Sequence, residues 1–204
     1  MTEASLETRI LDAVERCVAQ WGFTKVTIED VVAESGVSRA TLYRIFPGGR
    51  DVVFEALRVR RLDEFFSVLT AQVEGAVDLL DVVVRAVGSA TRELRADDLL
   101  ASMLASEPGE ALGQLTVEGF PRIVRMATVT LTPYVTRFVP ASTAQRLIDV
   151  LSRLTISYFL APSADVDLGD TEQARDFLRP VVRVLTDPSR GPATEPPLSP
   201  VSSH

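Results

Sequence analysis

The chain has 204 residues, 46% hydrophobic and 24% charged, with a formal net charge of −7, proportions of a soluble globular protein that can bury a real core and that exclude disorder over most of its length. A lone cysteine, Cys17, excludes an internal disulfide, and a lone histidine, His204 at the C-terminal end, removes Ser-His-Asp and Cys-His pairs and His-containing metal clusters. No apolar run approaches the roughly 18 residues a membrane span needs, so the expected setting is cytoplasmic, with no membrane partner, no cofactor, no metal and no catalytic residues.

Leu6, Ile10, Ala13, Val14, Cys17 and Val18 recur at helical spacing, which predicts a first amphipathic helix ending at Trp21-Gly22, with Cys17 as a packed thiol on its apolar face. Thr27-Ile28-Glu29-Asp30 places a threonine N-cap three residues before an acid that reaches back to it, a capping box with Asp in place of Glu or Gln. The short helix it opens turns Ile28, Val31 and Val32 inward and ends at Gly36. Ser38 caps a third helix with Leu42 and Phe46 as its buried stripe, and the two short helices joined through Ser35-Gly36-Val37 make a helix-turn-helix pattern.

Pro47-Gly48-Gly49 breaks the chain, after which Val52, Val53, Ala56, Leu57, in part Val59, Phe65, Phe66 and Leu69 support a long helix reaching toward residue 73. Helices are expected over 76–95, 97–106, 111–118, 121–138, 142–161 and 171–186, punctuated by Gly75, Pro108-Gly109, Gly119-Phe120-Pro121, Pro140 and the stretch from Pro162 to Asp170. Val82-Val83-Val84 taken alone is ambiguous between strand and helix. Pro133 and Pro180 each remove a helix hydrogen bond and push their helices to kink or stop. The acid pairs Glu29-Asp30 and Asp97-Asp98 point in different directions on a helix and read as solvated surface. Prolines at 188, 192, 196, 197 and 200 predict a disordered tail. The expected fold is all-α, with a three-helix head over 1–50, a larger helical body over 51–187 and a tail over 188–204.

A third helix that buries Leu42 and Phe46 projects Arg39, Ala40, Tyr43 and Arg44 from its other side, a basic and aromatic face. Arginine matches guanine edges, and alanine or a threonine methyl meets a thymine methyl, which makes Arg39, Ala40 and Thr41 candidates for reading sequence in a major groove. Thr27 and Ser38, beside unpaired helix amides, together with Tyr43, Arg44 and Arg50, are candidates for phosphate contacts. Residues 38–61 hold six arginines against two acids, +4, so the rest of the chain carries −11. A local positive end on an acidic protein suits a DNA-binding head on a body with another task.

Thr27-Ile28-Glu29-Asp30-Val31-Val32-Ala33, Gly36-Val37-Ser38 and Thr41-Leu42-Tyr43 before Phe46 resemble the DNA-binding head of the TetR family of transcriptional regulators, over roughly residues 8–58. The resemblance implies a wholly helical protein whose body binds a small molecule and forms a two-fold homodimer on double-stranded DNA. It places Thr27, Arg39, Ala40, Thr41, Tyr43 and Arg44 at DNA-facing positions. Two departures stand out: Ile45 replaces a tyrosine or histidine common before the phenylalanine, and Gly48-Gly49 inserts one residue before Arg50, which stands where relatives carry a lysine. The resemblance implies a ligand site in the body but fixes none of its residues; residues 76–138 are expected to line a cavity for an apolar or amphipathic effector, with Phe120, Tyr134 and Phe138 as its aromatics and Met103 and Met126 as candidates better read as core filler. Apolar stripes on the last two helices, including Leu147, Leu151, Leu154, Tyr158, Phe177 and Val181, resemble the family's paired interface helices.

The leading expectation is a ligand-responsive regulator, a repressor on a pseudo-palindromic operator. An all-helical enzyme with a vestigial head and a helical protein-binding adaptor are the alternatives from other classes; the missing histidines weigh against the first.

Overall fold

The computed structural model of the protein describes residues 3–116 and 119–187. The described residues fold into ten helices and contain no strand: α1 (Glu3–Trp21), α2 (Ile28–Ser35), α3 (Arg39–Ile45), α4 (Arg50–Val73), α5 (Leu79–Ala96), α6 (Asp98–Ser106), α7 (Pro108–Leu115), α8 (Phe120–Val135), α9 (Ala141–Leu160) and α10 (Thr171–Thr186). The all-α expectation holds for them; the expected disordered tail, 188–204, lies outside the described residues.

Prolines account for the main shifts in boundaries. Pro108 sits in the first turn of α7 instead of ending the preceding helix, so that helix runs 108–115 where 111–118 was expected. A first-turn proline has no amide that the helix would use, and its fixed φ already suits the helix. Pro133 lies in the last turn of α8, which stops at Val135 short of the expected 138, whereas α10 continues through Pro180 to Thr186.

Two apolar clusters share α4. The head cluster joins Ile10, Val14 and Cys17 of α1, Val31 of α2 and Leu42 of α3 to Val53, Phe54 and Leu57 of α4. The body cluster gathers Phe66, Leu69 and Val73 of α4 with residues of α5, α8, α9 and α10. The division expected after residue 50 therefore falls at the start of a helix that fills both cores. Phe54, absent from the expected stripe, is 1% exposed and meets the Phe23 ring edge-on at 4.6 Å. Val52 and Val59, counted toward that stripe, are exposed instead.

α5 is the central helix of the body. Every residue from Val82 to Thr91 is buried except Arg85. A helix packed on nearly all sides has no need of an apolar stripe with a polar reverse, which is why its valine run carries no clear period. Its one buried charge, Asp81, is held by Arg85 at 2.9 Å and Arg175 of α10 at 3.4 Å. A buried carboxylate so paired ties α5 to α10 without an unpaired charge.

Candidate nucleic-acid interface

The capping chemistry that sets the helix-turn-helix is formed as expected. Thr27 Oγ1 accepts from the Asp30 amide at 3.3 Å, and Asp30 Oδ2 accepts from the Thr27 amide at 2.8 Å. Bonds from the Thr27 hydroxyl and amide hold the Asp30 carboxyl below its ordinary pKa. Gly36 closes α2 at φ +64°, a left-handed conformation that glycine adopts without strain. Ser38 Oγ accepts from the Thr41 amide at 3.2 Å and caps α3.

Leu42 and Phe46 bury into the head, and Ser38, Arg39, Ala40, Tyr43 and Arg44 are all exposed around α3. Thr41 is half-buried and its hydroxyl bonds Ser38 Oγ at 2.9 Å, so its methyl is the part left for a base contact. Arg39 donates to Glu29 of α2 at 2.5 Å and lies 5.6 Å from the Tyr43 ring. Both partners of that ion pair are 62% exposed, and pairs so solvated contribute only about 0–1 kcal/mol. Arg39 can leave Glu29 for a guanine at little cost. Ile45, where the resemblance leads one to expect a tyrosine or histidine, packs against the head cluster.

The Gly48-Gly49 insertion has a steric reason. Both glycines have positive φ, +122° and +67°. A Cβ on Gly48 would lie 2.6 Å from Val52 Cγ2, and one on Gly49 would lie 3.0 Å from Tyr43 Cε1. The pair lets the chain turn tightly from α3 into α4 while the Tyr43 ring rests on Gly49.

Arg50 takes a different part from the phosphate clamp expected of it. Its Nε donates to the Val26 carbonyl at 2.9 Å and its Nη2 to the Phe23 carbonyl at 2.7 Å, and the guanidinium stacks 4.4 Å from the Phe54 ring. It fastens the α1–α2 loop to α4. On the other side of the same loop, Glu107, between α6 and α7, accepts from the Phe23 amide at 2.6 Å and the Thr24 amide at 3.0 Å, and also from the Thr24 hydroxyl. The Thr24 hydroxyl bond is the main cause that lowers the Glu107 pKa, with the two amides and Lys25 adding to it against desolvation. A Cβ on Gly22 would come within 3.1 Å of this carboxylate, so the loop approaches closely where only glycine stands. Arg50 thus grips the loop by its carbonyls and Glu107 by its amides. Nothing in the sequence pairs Glu107 with residues more than 80 positions away.

The count of six cations overstates the positive end. Arg60 pairs with Asp12 at 2.6 Å and Glu15 at 2.9 Å, Arg61 pairs with Glu15 and with Asp97 at 2.6 Å, and Arg58 faces Glu55 and Glu110. Those three arginines join the head to the body. The exposed α3 face carries Arg39 and Arg44. Asp97, expected as solvated surface, also caps α6 by accepting from the Leu100 amide at 2.9 Å.

Behind the head lies a cavity of about 440 Å³ lined by residues of α4, α5, α6, α7, α8 and α9 and by Val18 and Phe23 of the head. Met103 lines it; Phe120, Met126, Tyr134 and Phe138 do not. Phe120 stacks 4.7 Å from the Arg153 guanidinium, Met126 and Tyr134 pack on the body cluster away from the cavity, and Phe138 is exposed. The aromatic lining comes from Phe23, Phe65 and Phe66. The apolar stripe of α9 divides in the same way. Leu147 and Leu151 are buried within the protomer, at 0% and 8% exposed, and line the cavity, so they are core and not interface. Leu154, Tyr158, Phe177 and Val181 are only partly buried, with the Tyr158 and Phe177 rings 5.3 Å apart across α9 and α10.

Residues 10–57 match the family model described as bacterial regulatory proteins, tetR family. The chain is 32% identical over 99 residues to an HTH-type transcriptional regulator of Mycobacterium tuberculosis, a match over 48% of this chain and 50% of that relative, so it spans about half the length of the first relatives it matches. It is 27% identical over 173 residues, 82% of either chain, to the HTH-type transcriptional regulator AlkX of Mycobacterium tuberculosis. The crystal structure of the TetR family repressor AlkX from Dietzia sp. superposes with a TM-score of 0.63 at 20% identity, covering 87% of this chain and 95% of that one, a likeness of fold. The head motif and the capped α2–α3 pair agree with that family model over residues 10–57, and the all-helical body agrees in fold with the crystal structure of the TetR family repressor AlkX.

Proposed function

We propose that the protein is a repressor that binds a pseudo-palindromic operator as a homodimer and releases it when a small apolar or amphipathic effector fills the body cavity. Arg39, Ala40 and the Thr41 methyl read bases, while Thr27, Ser38, Tyr43 and Arg44 hold phosphates. Leu154, Tyr158, Phe177 and Val181 supply the apolar surface of the dimer, where the same face of each copy meets the other.

The observation that carries the reading is the shared wall between cavity and head. Met103, Ala111 and Leu115, on the helices either side of Glu107, line the cavity, and Glu107 holds the loop that leads into α2. Arg61 extends the same wall by bridging Glu15 of α1 to Asp97 at the start of α6. An effector that displaces α6 and α7 moves the head through these contacts. It can shift the operator equilibrium only by its difference in affinity for the two positions.

Binding of the full chain to its own upstream DNA, in competition with random duplex at physiological salt, tests the reading. The expected preference is about 10³-fold or more, reduced by an effector. Equal affinity for both duplexes, with and without candidate effectors, refutes it.

A further inference from the structure

A carboxylate stands beside the arginine that α3 turns outward. Glu29, in the first turn of α2, accepts from Arg39 Nη1 at 2.5 Å, and each side chain is 62% exposed. The other two acids of α2 are engaged elsewhere: Asp30 closes the capping box on Thr27, and Glu34 pairs with Arg16 of α1 at 2.6 Å. Asp30 already sets the start of α2, and an ion pair so solvated adds little to stability, so the fold has small need of Glu29. Duplex DNA carries one negative charge about every 1.7 Å along its axis. A carboxylate on the face that meets it weakens binding to every sequence unless a base supplies a bond in return.

The edges of the major groove decide which base can do so. When Arg39 takes the N7 and O6 acceptors of a guanine, the Glu29 carboxylate is left facing the groove, where it can only accept. Guanine and thymine present acceptors to it, and adenine sets its N7 acceptor beside the N6 amino group. Cytosine presents the N4 amino group and no acceptor of its own. Neighbouring bases of a strand are about 3.4 Å apart along the axis, close to the 2.5 Å between the paired oxygen and nitrogen, so two bases one step apart can receive the two side chains.

From the exposed pair and the donor pattern of the groove, we infer that Glu29 is a specificity-determining residue, its carboxylate accepting from a cytosine N4 amino group one base pair from the guanine that Arg39 reads. The inference rests on the reading of α3 as the element that meets bases. It extends the recognition surface to the first turn of α2 and makes Glu29 and Arg39 one unit. On a duplex without that cytosine, Arg39 either stays on Glu29 or leaves an unmatched carboxylate against DNA. Discrimination then comes from the cost of the wrong base as well as from the bond to the right one.

Selection of duplexes from a randomised library by the full chain, followed by competition binding of single-base variants at physiological salt, tests it. The natural sequence should enrich half-sites with a cytosine one step from a guanine, and exchanging that cytosine for any other base should cost about fivefold or more. Glu29→Ala should lose the cytosine preference and keep the guanine. Glu29→Gln, whose amide both accepts and donates, should bind all duplexes more tightly and admit thymine or adenine in place of cytosine. Both variants keep the Thr27–Asp30 capping box, and far-UV circular dichroism checks their fold. Base preferences unchanged at every position in the variants overturn the inference, since Glu29 then acts as charge alone. Loss of the guanine preference together with the cytosine in Glu29→Ala also overturns it and leaves Glu29 as a support for Arg39. Enriched half-sites with no cytosine beside the guanine overturn it from the natural sequence alone. A natural sequence that enriches nothing fails the DNA-reading proposal itself, and this inference with it.

Discussion

Replacing Glu107 by alanine should separate the head from the cavity without unfolding either. The substitution removes the carboxylate acceptor from the Phe23 and Thr24 amides and the Thr24 hydroxyl. Hydrogen bonds to charged groups contribute about 1.5–3 kcal/mol each when buried. Thr24 is exposed, so water takes over its bonds, and the part-buried Phe23 amide carries most of the loss, about 1–2 kcal/mol in total. Arg50 still holds the same loop through the Phe23 and Val26 carbonyls, and the head keeps its operator affinity. What falls is the coupling, by roughly 5- to 30-fold in the effector's power to weaken DNA binding. Fluorescence anisotropy on operator DNA, with and without effector, in the natural sequence and the variant, measures it as a thermodynamic cycle. An unchanged coupling refutes the role of Glu107.

The same contact has a pH signature. The folded pKa of Glu107 lies below the unfolded value, chiefly through the Thr24 hydroxyl, so its stabilisation is complete above the unfolded pKa and is lost as pH falls through the folded one. Glu107→Gln, whose amide offers one acceptor oxygen, should be less stable than the natural sequence at neutral pH, and the two should converge in acid.

Arg39→Ala should weaken operator binding by about 1–3 kcal/mol and lower affinity for random duplex less, and Glu29→Gln, which frees Arg39 from its ion pair, should tighten DNA binding severalfold; equal losses on both duplexes for Arg39→Ala would remove it from base reading. Gly49→Ala forces a side chain into positive φ and against Tyr43, with an expected loss of about 1–3 kcal/mol in chemical denaturation and weaker binding to every sequence. Leu147→Ala should destabilise the fold by about 2–5 kcal/mol at unchanged oligomeric state, whereas Phe177→Arg should yield monomers; sedimentation velocity and urea unfolding distinguish them.

The head was legible because its signals are local. A capping threonine three residues before Asp30, a glycine after α2 and Leu42 with Phe46 at helical spacing are each written within a few positions, and the structure forms each of them. The body was legible as helices and not as a site. Phe120, Met126, Tyr134 and Phe138 stand out by residue type, but which face of a helix meets a cavity depends on its neighbours, and three of these four sit on α8 faces turned elsewhere and the fourth in the turn that follows. Leu147 and Leu154 share a stripe by spacing, yet only the first is enclosed by other helices of the protomer. Arg50 and Glu107 were hard to place for a further reason: both act on backbone groups of a distant loop, and backbone partners leave no mark in residue identity.

Footprinting of the full chain on its own upstream DNA tests the central claim most directly, that two copies of α3 read one operator. The expected result is two protected half-sites related by a dyad, on one face of the duplex, with the guanine contacts of each lost in Arg39→Ala. Protection that spreads evenly along the duplex, or a pattern that Arg39→Ala leaves intact, would contradict it.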